Sequence, residues 1–462
     1  MASTKKYWKN EAELNPNDST INKLRYNEFP EEIPVDEFLG DSDTLSESNT
    51  SRRDFLKYVG FSTAAASMAA CEGPVRRSIP YVMKPDTIVP GIANYYATTI
   101  ANGFDFASIL VKTREGRPIK IERNIEAGFG SHSSARIQAS VLSLYDSSRL
   151  QGPKAGDQDI SWEVLDATVR AQLNLLKSSD KQIAFLTPTY ASPSTAKLIE
   201  EFQTQYPNTK HVIYDAISED AALDAFEAKF GTRALPDYRF ENADVIVSFG
   251  ADFLGDWQGG GYSSGYAKGR VPKEGKMSKH IQFESNMTLT GANADHRIAL
   301  TPSEQKKALA SLFGTLNNSN VSTDLSDSVK QVVQQAAKVI GEAGSKAVVV
   351  TGIDDVNAQS IALAINELIG SEVVDSDAPR NIRQGNTKEL GQLVQDMNDG
   401  NVGLLIMDDV NPMYTLADTT SFESGLSKVN VSICFTMNSN ETCMVSKYSA
   451  AANHYLESWG DS

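Results

Sequence analysis

After Trp162 the apolar residues fall into two alternating kinds of run: short continuous stretches of Val, Ile and Phe, and longer stretches in which apolar positions recur at helical spacing. The short runs, at 182–187, 211–214, 244–250, 280–283, 347–352, 402–407 and 429–435, predict strands buried on both faces. The longer ones, at 193–205, 218–230, 328–342, 358–369 and 387–397, predict helices; 328–342 carries Val329, Val332, Val333, Ala336, Val339 and Ile340 along one stripe. Strands alternating with helices imply parallel sheets covered by helices. Upstream the pattern differs. Residues 106–113 and 118–122 read as strands joined by the turn Arg114-Glu115-Gly116-Arg117, and 134–145 as a helix on Ile137, Val141, Leu142 and Leu144. The expected class is therefore α/β. A small β-rich subdomain (95–155) precedes two doubly wound parallel-sheet lobes (156–316 and 317–462), divided near the Asn-, Ser- and Asp-rich stretch 316–327. An extended arm and linker (1–94) comes before all three.

Composition narrows the chemistry. At 462 residues, with 40% apolar residues, the chain can build about three cores. Its 43 basic against 59 acidic residues give a net charge of −16, which repels a phosphate backbone and argues against nucleic-acid binding. Three cysteines and five scattered histidines provide neither a disulfide framework nor paired metal-ligand spacing. No run is long and apolar enough to span a bilayer, so membrane association would be peripheral, through lipid or through partners.

The arm is polar and interrupted by Pro16, Pro30 and Pro34, yet Tyr7, Trp8, Tyr26, Phe29 and Phe38 are more aromatics than a solvated tail usually carries. It either stays loose or docks on a partner, and the aromatics favour docking. Next come Ser51-Arg52-Arg53-Asp54-Phe55-Leu56-Lys57 and a modest apolar stretch ending at Cys71. Arg52, Arg53, Phe55, Leu56 and Lys57 match a twin-arginine export signal, although some fifty residues precede the arginine pair. Met68-Ala69-Ala70-Cys71 resembles a lipobox, which makes Cys71 a candidate lipid anchor.

Three loops follow predicted strands where ligands of open α/β sheets bind: 249–257, 352–355 and 408–414. Asp252, Asp256, Asp354, Asp355, Asp408 and Asp409 make them acidic, the wrong charge for a pyrophosphate. Gly259-Gly260-Gly261 lacks the G-x-G-x-x-G context after a strand and reads as a structural loop.

Taken in order, several segments resemble one family. Arg114-Glu115-Gly116-Arg117-Pro118-Ile119-Lys120-Ile121-Glu122-Arg123-Asn124 and Leu144-Tyr145-Asp146-Ser147-Ser148-Arg149-Leu150-Gln151-Gly152-Pro153 are similar to the first domain of the molybdopterin oxidoreductases. The similarity continues through Ala243-Asp244-Val245-Ile246-Val247-Ser248-Phe249-Gly250-Ala251-Asp252, the stretch 292–302, Asn411-Pro412, Glu441-Thr442 and His454-Tyr455-Leu456-Glu457-Ser458-Trp459-Gly460-Asp461. That resemblance implies a molybdopterin-oxidoreductase-like fold from about Tyr95 to the last residue.

It also implies what is missing. Catalytic members carry cluster cysteines where this chain has Tyr96-Ala97-Thr98-Thr99-Ile100-Ala101-Asn102-Gly103 and Ser133-Ser134-Ala135-Arg136. The family's metal ligand would fall within 214–222, where Asp215, Ser218 and Asp220 are nominal substitutes. A molybdopterin-like chain without these ligands, carrying a twin-arginine motif, resembles the cofactor-free, molybdopterin-like subunits of alternative complex III, a membrane quinol:electron-acceptor oxidoreductase of bacterial respiratory chains. The implied role is a non-catalytic structural subunit at the periplasmic face of the inner membrane. Implied partners are an iron–sulfur domain, a multihaem cytochrome c subunit and quinol-binding integral membrane subunits. No catalytic, cofactor or metal-binding residue is expected here; 4Fe–4S and 3Fe–4S clusters would lie in a C-terminal half beyond Ser462 or in a partner. A molybdenum enzyme with an atypical site, and a solute- or nucleotide-binding α/β protein, are the alternatives. Cys434 and Cys443 are expected as thiols on a strand and a loop, and Tyr448, Tyr455 and Trp459 as candidates for an uncovered apolar face.

Overall fold

Glu115 and Gly116 both adopt positive φ, 53° and 77°, the pair of left-handed conformations that a tight hairpin between right-twisted strands requires. In the computed structural model, which describes residues 88–461 except 90, 129, 274 and 320, this turn sits in a three-stranded antiparallel sheet. Its strands are β1 (Asn94–Ala101), β2 (Phe106–Arg114) and β3 (Arg117–Arg123), with β2 central. The targeting residues Arg52, Arg53, Phe55, Leu56 and Lys57, and Cys71, lie outside the described residues. The helix Ala135–Ser143 begins at Ser134, whose hydroxyl accepts from the Ile137 amide. It buries Ile137 and Val141 on Ile100, Ile109, Val111 and Ile121. Leu142, expected on that face, is 69% exposed, because it follows Val141 by a single residue and so lies off the stripe.

Thirteen further strands follow: β4 (Lys154–Ala155), β5 (Gln158–Asp159), β6 (Gln182–Thr187), β7 (Thr209–Ile213), β8 (Leu235–Tyr238), β9 (Val245–Phe249), β10 (Lys279–Glu284), β11 (His296–Ala299), β12 (Ala347–Thr351), β13 (Val374–Arg380), β14 (Val402–Asp408), β15 (Val431–Thr436) and β16 (Tyr448–Ala451). One sheet has the order β5-β4-β16-β15-β14-β6-β7 and another β11-β10-β9-β12, while β8 and β13 form an antiparallel pair. The central pairings of both larger sheets are parallel.

This order corrects the expected division at 316/317. β12 completes the sheet of β9, β10 and β11, and β14 lies between β6 and β15, so both sheets recruit strands from both sides of that point. The arrangement is nested. Residues 216–385 carry the four-stranded sheet and are inserted into the chain that makes the seven-stranded one. Parallel neighbours need long crossovers, and burial rather than chain order decides which strands meet. The four-stranded sheet packs Val247, Phe249, Ile281, Phe283 and Val349 against Leu309, Leu312, Val333, Ala336 and Ile340, and the rings of Phe249 and Phe283 stack at 4.6 Å. Leu186, Leu405, Met407 and Cys434 of the larger sheet pack on Leu393, Met397, Phe422 and Leu426.

The end of the described chain returns to the β-rich part. Tyr455 Oη lies 2.7 Å from Ser140 Oγ, His454 Nε2 3.1 Å from Ser143 Oγ, and Glu457 pairs with Arg149. The expected uncovered face therefore reduces to Trp459, at 105% exposure, because Tyr455 is tied down and Tyr448 packs with Leu404 and Ile433. No helix among the described residues is long and apolar enough to cross a membrane.

Candidate functional site

Arg136, in the second segment that the resemblance marks for cluster ligands, meets Phe104 and Asp105 just past the end of the first, with other chemistry. Arg136 donates through Nε and Nη2 to both oxygens of Asp105, each at 2.7 Å, and through Nη2 to Asp256 at 3.1 Å. Its guanidinium lies 4.3 Å from the centroid of Phe104, and that of Arg383 5.0 Å from the same ring. Arg383, 2% exposed, donates to the carbonyls of Gly103 and Phe104. Two cations around an aromatic ring and a carboxylate hold this corner by charge and stacking. They do not fit an iron–sulfur cluster, which needs thiolates that these segments do not contain.

The nominal metal ligands are engaged by the protein itself. Asp215 stands where the chain leaves the outer sheet for the insertion, and residues 384–386 where it returns. Its carboxylate accepts from the Thr189 amide (2.8 Å) and hydroxyl (2.6 Å), from the Gly385 amide (3.0 Å) and from the Gln384 amide (3.3 Å). The Asn386 amide donates to the Ile213 carbonyl at 3.0 Å, closing the crossing point. Asp220 pairs with Arg233 at 3.2 Å and accepts from the Thr387 amide, and the Ser218 hydroxyl accepts from the Asp220 amide at 3.0 Å. These residues fasten a double crossing. With four donors already on Asp215, the set does not fit molybdenum coordination.

Beside the crossing lies a polar interior that the sequence pattern does not single out. Gln258 is 1% exposed, adopts left-handed φ and ψ of 49° and 40°, and has no partner for either atom of its side-chain amide. Trp257 Nε1 is likewise buried without a partner, whereas the Tyr262 hydroxyl meets Arg380 and the His132 ring faces the Gly130 and Gly259 backbone. The Gln258 backbone amide donates to Glu219 at 3.3 Å. Burial pushes the Glu219 carboxyl up to about 7 despite the opposing pull of Arg383. His132 is held below the ordinary imidazole range, first by burial and then by Arg380, and so is neutral at pH 7. Arg380, also buried, donates to the Gly260 carbonyl and lies 4.9 Å from the Tyr262 ring. A cleft of about 850 Å³ opens beside these groups, with Gly260, Tyr262, Arg380, Arg239 and Lys268 in its wall. Asp237, Glu241 and Asp375 share that wall, with Arg239 paired to Asp375, so the cleft is polar and of mixed charge and suits a small polar molecule.

Glu219 gives this interior a pH signature. Its folded-state pKa lies above the usual 4.5, so the native state holds more protons than the unfolded state between about pH 4.5 and 7, and this group's contribution to stability falls as pH rises through that window. Glu219→Gln is expected to be more stable than the parent by about 2 kcal/mol at pH 8 and about equal at pH 5. Urea midpoints at the two pH values check this; an advantage that does not grow with pH would show that the carboxyl ionises freely.

The acidic loops turn part of their charge inward, while Asp256, Asp354 and Asp409 stay exposed. Asp252 accepts from the Thr290 amide and hydroxyl, Asp355 caps the helix Val356–Leu368 and pairs with Lys306, and Tyr190 donates to Asp408. The Gly259–Gly261 turn is a matter of close approach: a Cβ on Gly259 would lie 2.7 Å from Ile382 Cδ1, and one on Gly261 3.2 Å from His132 Nδ1.

No family model matches the sequence, and no curated protein matches it. Among solved structures the chain is similar to acetylene hydratase from Pelobacter acetylenicus, with a TM-score of 0.58 and 13% identity over 78% of this chain. The likeness is one of fold alone: an α/β architecture with parallel sheets. The chain spans 63% of that hydratase's length. A formyltransferase/hydrolase complex from Methylorubrum extorquens matches with a TM-score of 0.44 at 12% identity, over 65% of this chain and 86% of that one.

Sequence signals for the remaining site residues are faint. Arg380 ends a polar strand and Arg383 follows it by three residues, and His132 is a lone histidine in a loop; neither pattern reads as a site until the fold brings them to Gln258 and Glu219.

Proposed function

We propose that this chain is the cofactor-free half of the molybdopterin-like subunit of alternative complex III, a structural subunit supporting the electron-transfer module of a membrane quinol:electron-acceptor oxidoreductase. The observation that carries the reading is the state of the family's ligand positions: residues 96–103 and 133–136 offer no thiolate and Arg136 pairs with Asp105 instead, while Asp215 is saturated by four protein donors. A chain built this way contributes by position rather than by electron transfer. The expected setting is the periplasmic face of the bacterial inner membrane, with Arg52 and Arg53 directing export. The expected partners are an iron–sulfur domain holding 4Fe–4S and 3Fe–4S clusters, a multihaem cytochrome c subunit and quinol-binding membrane subunits. A second reading, a solute-binding α/β protein, has one observation in its favour, the buried Gln258 amide and Trp257 indole without partners near the 850 Å³ cleft.

The test is affinity purification of the full-length chain from its own detergent-solubilised membranes, with haem spectra and elemental analysis of the complex and of the separated chain. The expected result is stoichiometric co-purification with haem- and iron–sulfur-bearing subunits, and neither molybdenum nor iron in residues 1–462 once separated. A monomer without membrane partners favours the solute-binding reading, and near-stoichiometric molybdenum the enzymatic one.

A further inference from the structure

Cys434 and Cys443 are brought together from two different elements. Cys434 lies on β15, fully buried, and Cys443 in the short helix Glu441–Val445, 6% exposed. Both are free thiols, and their sulfurs are 2.8 Å apart, closer than two sulfurs that merely pack. Their surroundings fix them from both sides. The Cys443 amide donates to Asn440 Oδ1 at 2.9 Å, and the adjacent Thr442 hydroxyl donates to Asn411 Oδ1 at 2.7 Å. Asn411 also donates to Glu441 at 2.7 Å, which ties the short helix to the loop after β14. On the other side, Cys434 is held in register between β14 and β16, opposite Met407 and Ser449. Two thiols fixed in this way need only a small side-chain adjustment to reach bonding geometry.

We infer that Cys434 and Cys443 are a modification site of this chain, a pair that oxidises to an intramolecular disulfide. The oxidant is a disulfide, either a small one such as glutathione disulfide or that of a thiol–disulfide oxidoreductase. The Cys443 thiolate attacks one sulfur of that disulfide, forming a mixed disulfide and releasing one thiolate. The Cys434 thiolate then attacks the Cys443 sulfur, closing the internal bond and releasing the second thiolate. Two S–H bonds are lost and one S–S bond forms; the two electrons reduce the oxidant to two thiols, which take up the two protons.

Cys443 is the first attacker on three grounds. It is the less buried of the two, it sits beside the exposed Met444 on a five-residue helix, and its thiol is held below the ordinary range by the neighbouring Cys434 thiol and, against the effect of burial, by the Asn440 backbone. Cys434 is pushed the other way, by its partner's hydrogen bond and by burial, which suits it to the second, intramolecular step. The bond would close a loop at a structural joint. Within that loop the Met437 carbonyl accepts from the Leu150 amide at 2.7 Å, and Asn438 donates to Asp146 at 2.8 Å, both contacts to the segment leading out of the β-rich part.

The experiment uses the full-length chain with Cys71→Ser, so that 434 and 443 are its only cysteines. The reduced protein is equilibrated with glutathione disulfide, quenched in acid, denatured, alkylated with N-ethylmaleimide and weighed intact and after proteolysis. The expected product takes up no maleimide, is about 2 Da lighter than the reduced chain, yields one peptide pair joined through 434 and 443, and accepts two maleimides after reduction. Two maleimides without reduction, or glutathione adducts on the separate cysteines, would overturn the proposal. Cys443→Ser in the same background is expected to stop at one maleimide or one glutathione adduct. Should that variant not fold, the mass of the Cys71→Ser chain decides the matter alone.

Discussion

Replacing Arg383 with Met is expected to cost the folded chain about 4 kcal/mol, read as a fall in the urea midpoint at unchanged slope. The guanidinium is the buried counter-charge between Asp105, Asp215 and Glu219, and it also satisfies the carbonyls of Gly103 and Phe104. Methionine fills similar length with no donor, so two buried acceptors lose their partner while the nearby carboxylates lose their compensation. Breaking one side of a buried charge cluster typically costs about 3–5 kcal/mol because the remaining charges stay desolvated. Arg383→Lys separates the two contributions. It keeps the charge but not the planar fork that reaches two consecutive carbonyls, and so is expected to fall between parent and Met variant. A Met variant within about 1 kcal/mol of the parent would mean that water or a shifted backbone replaces the guanidinium, and that the corner is not held by charge.

Asp215→Asn is expected to lose about 3 kcal/mol, measured in the same way. The change is nearly isosteric, so it leaves no cavity and isolates the chemistry. An amide presents one acceptor oxygen and one donor nitrogen where four donors converge, so at least one of the Thr189, Gln384 and Gly385 amides faces another donor in a buried position. Since Arg383 acts on Asp215 electrostatically, the double variant with Arg383→Met is expected to cost less than the sum of the two. Strict additivity would show that the crossing and the Phe104 corner are held independently. Both variants also bear on the metal question: a saturated carboxylate whose loss appears wholly as lost stability is a fastener.

The elements are legible in the sequence because their patterns are strong. The continuous run at 182–187 and the Ala347-Val348-Val349-Val350-Thr351 stretch can be little else than buried strands, and the stripe through Val329, Val333, Ala336 and Ile340 is the buried face of its helix. β13 escapes the pattern because Val374-Asp375-Ser376-Asp377-Ala378-Pro379-Arg380 is polar, and it pairs with β8 in a register broken between Asp375 and Arg380. The nested order is not legible at all, since periodicity tells how a segment is buried and says nothing of which strand lies beside it. Asp215 can be picked out as a carboxylate in a suggestive place, but its four donors come from segments 26 and about 170 residues away. Gln258, with its left-handed backbone and unpartnered amide, has no counterpart in pattern or composition; only the three-dimensional neighbourhood marks it.

The nesting of one sheet's chain inside the other's also sets an order of events during synthesis. β6 and β7 leave the ribosome early, but the flank of β6 facing β14 has no partner until Val402–Asp408 has been made, so that edge waits exposed while the whole insertion emerges. Residues 216–385, by contrast, contain every strand of the four-stranded sheet and can close on themselves at once. When they do, the ends of the insertion are drawn together at Asp215 and Gly385, which delivers the helix Thr387–Asn398 and then β14 to the waiting edge. Folding from the inside outward shortens the effective loop that the late strands must close, and limits how long an unpaired β-edge is open to other chains.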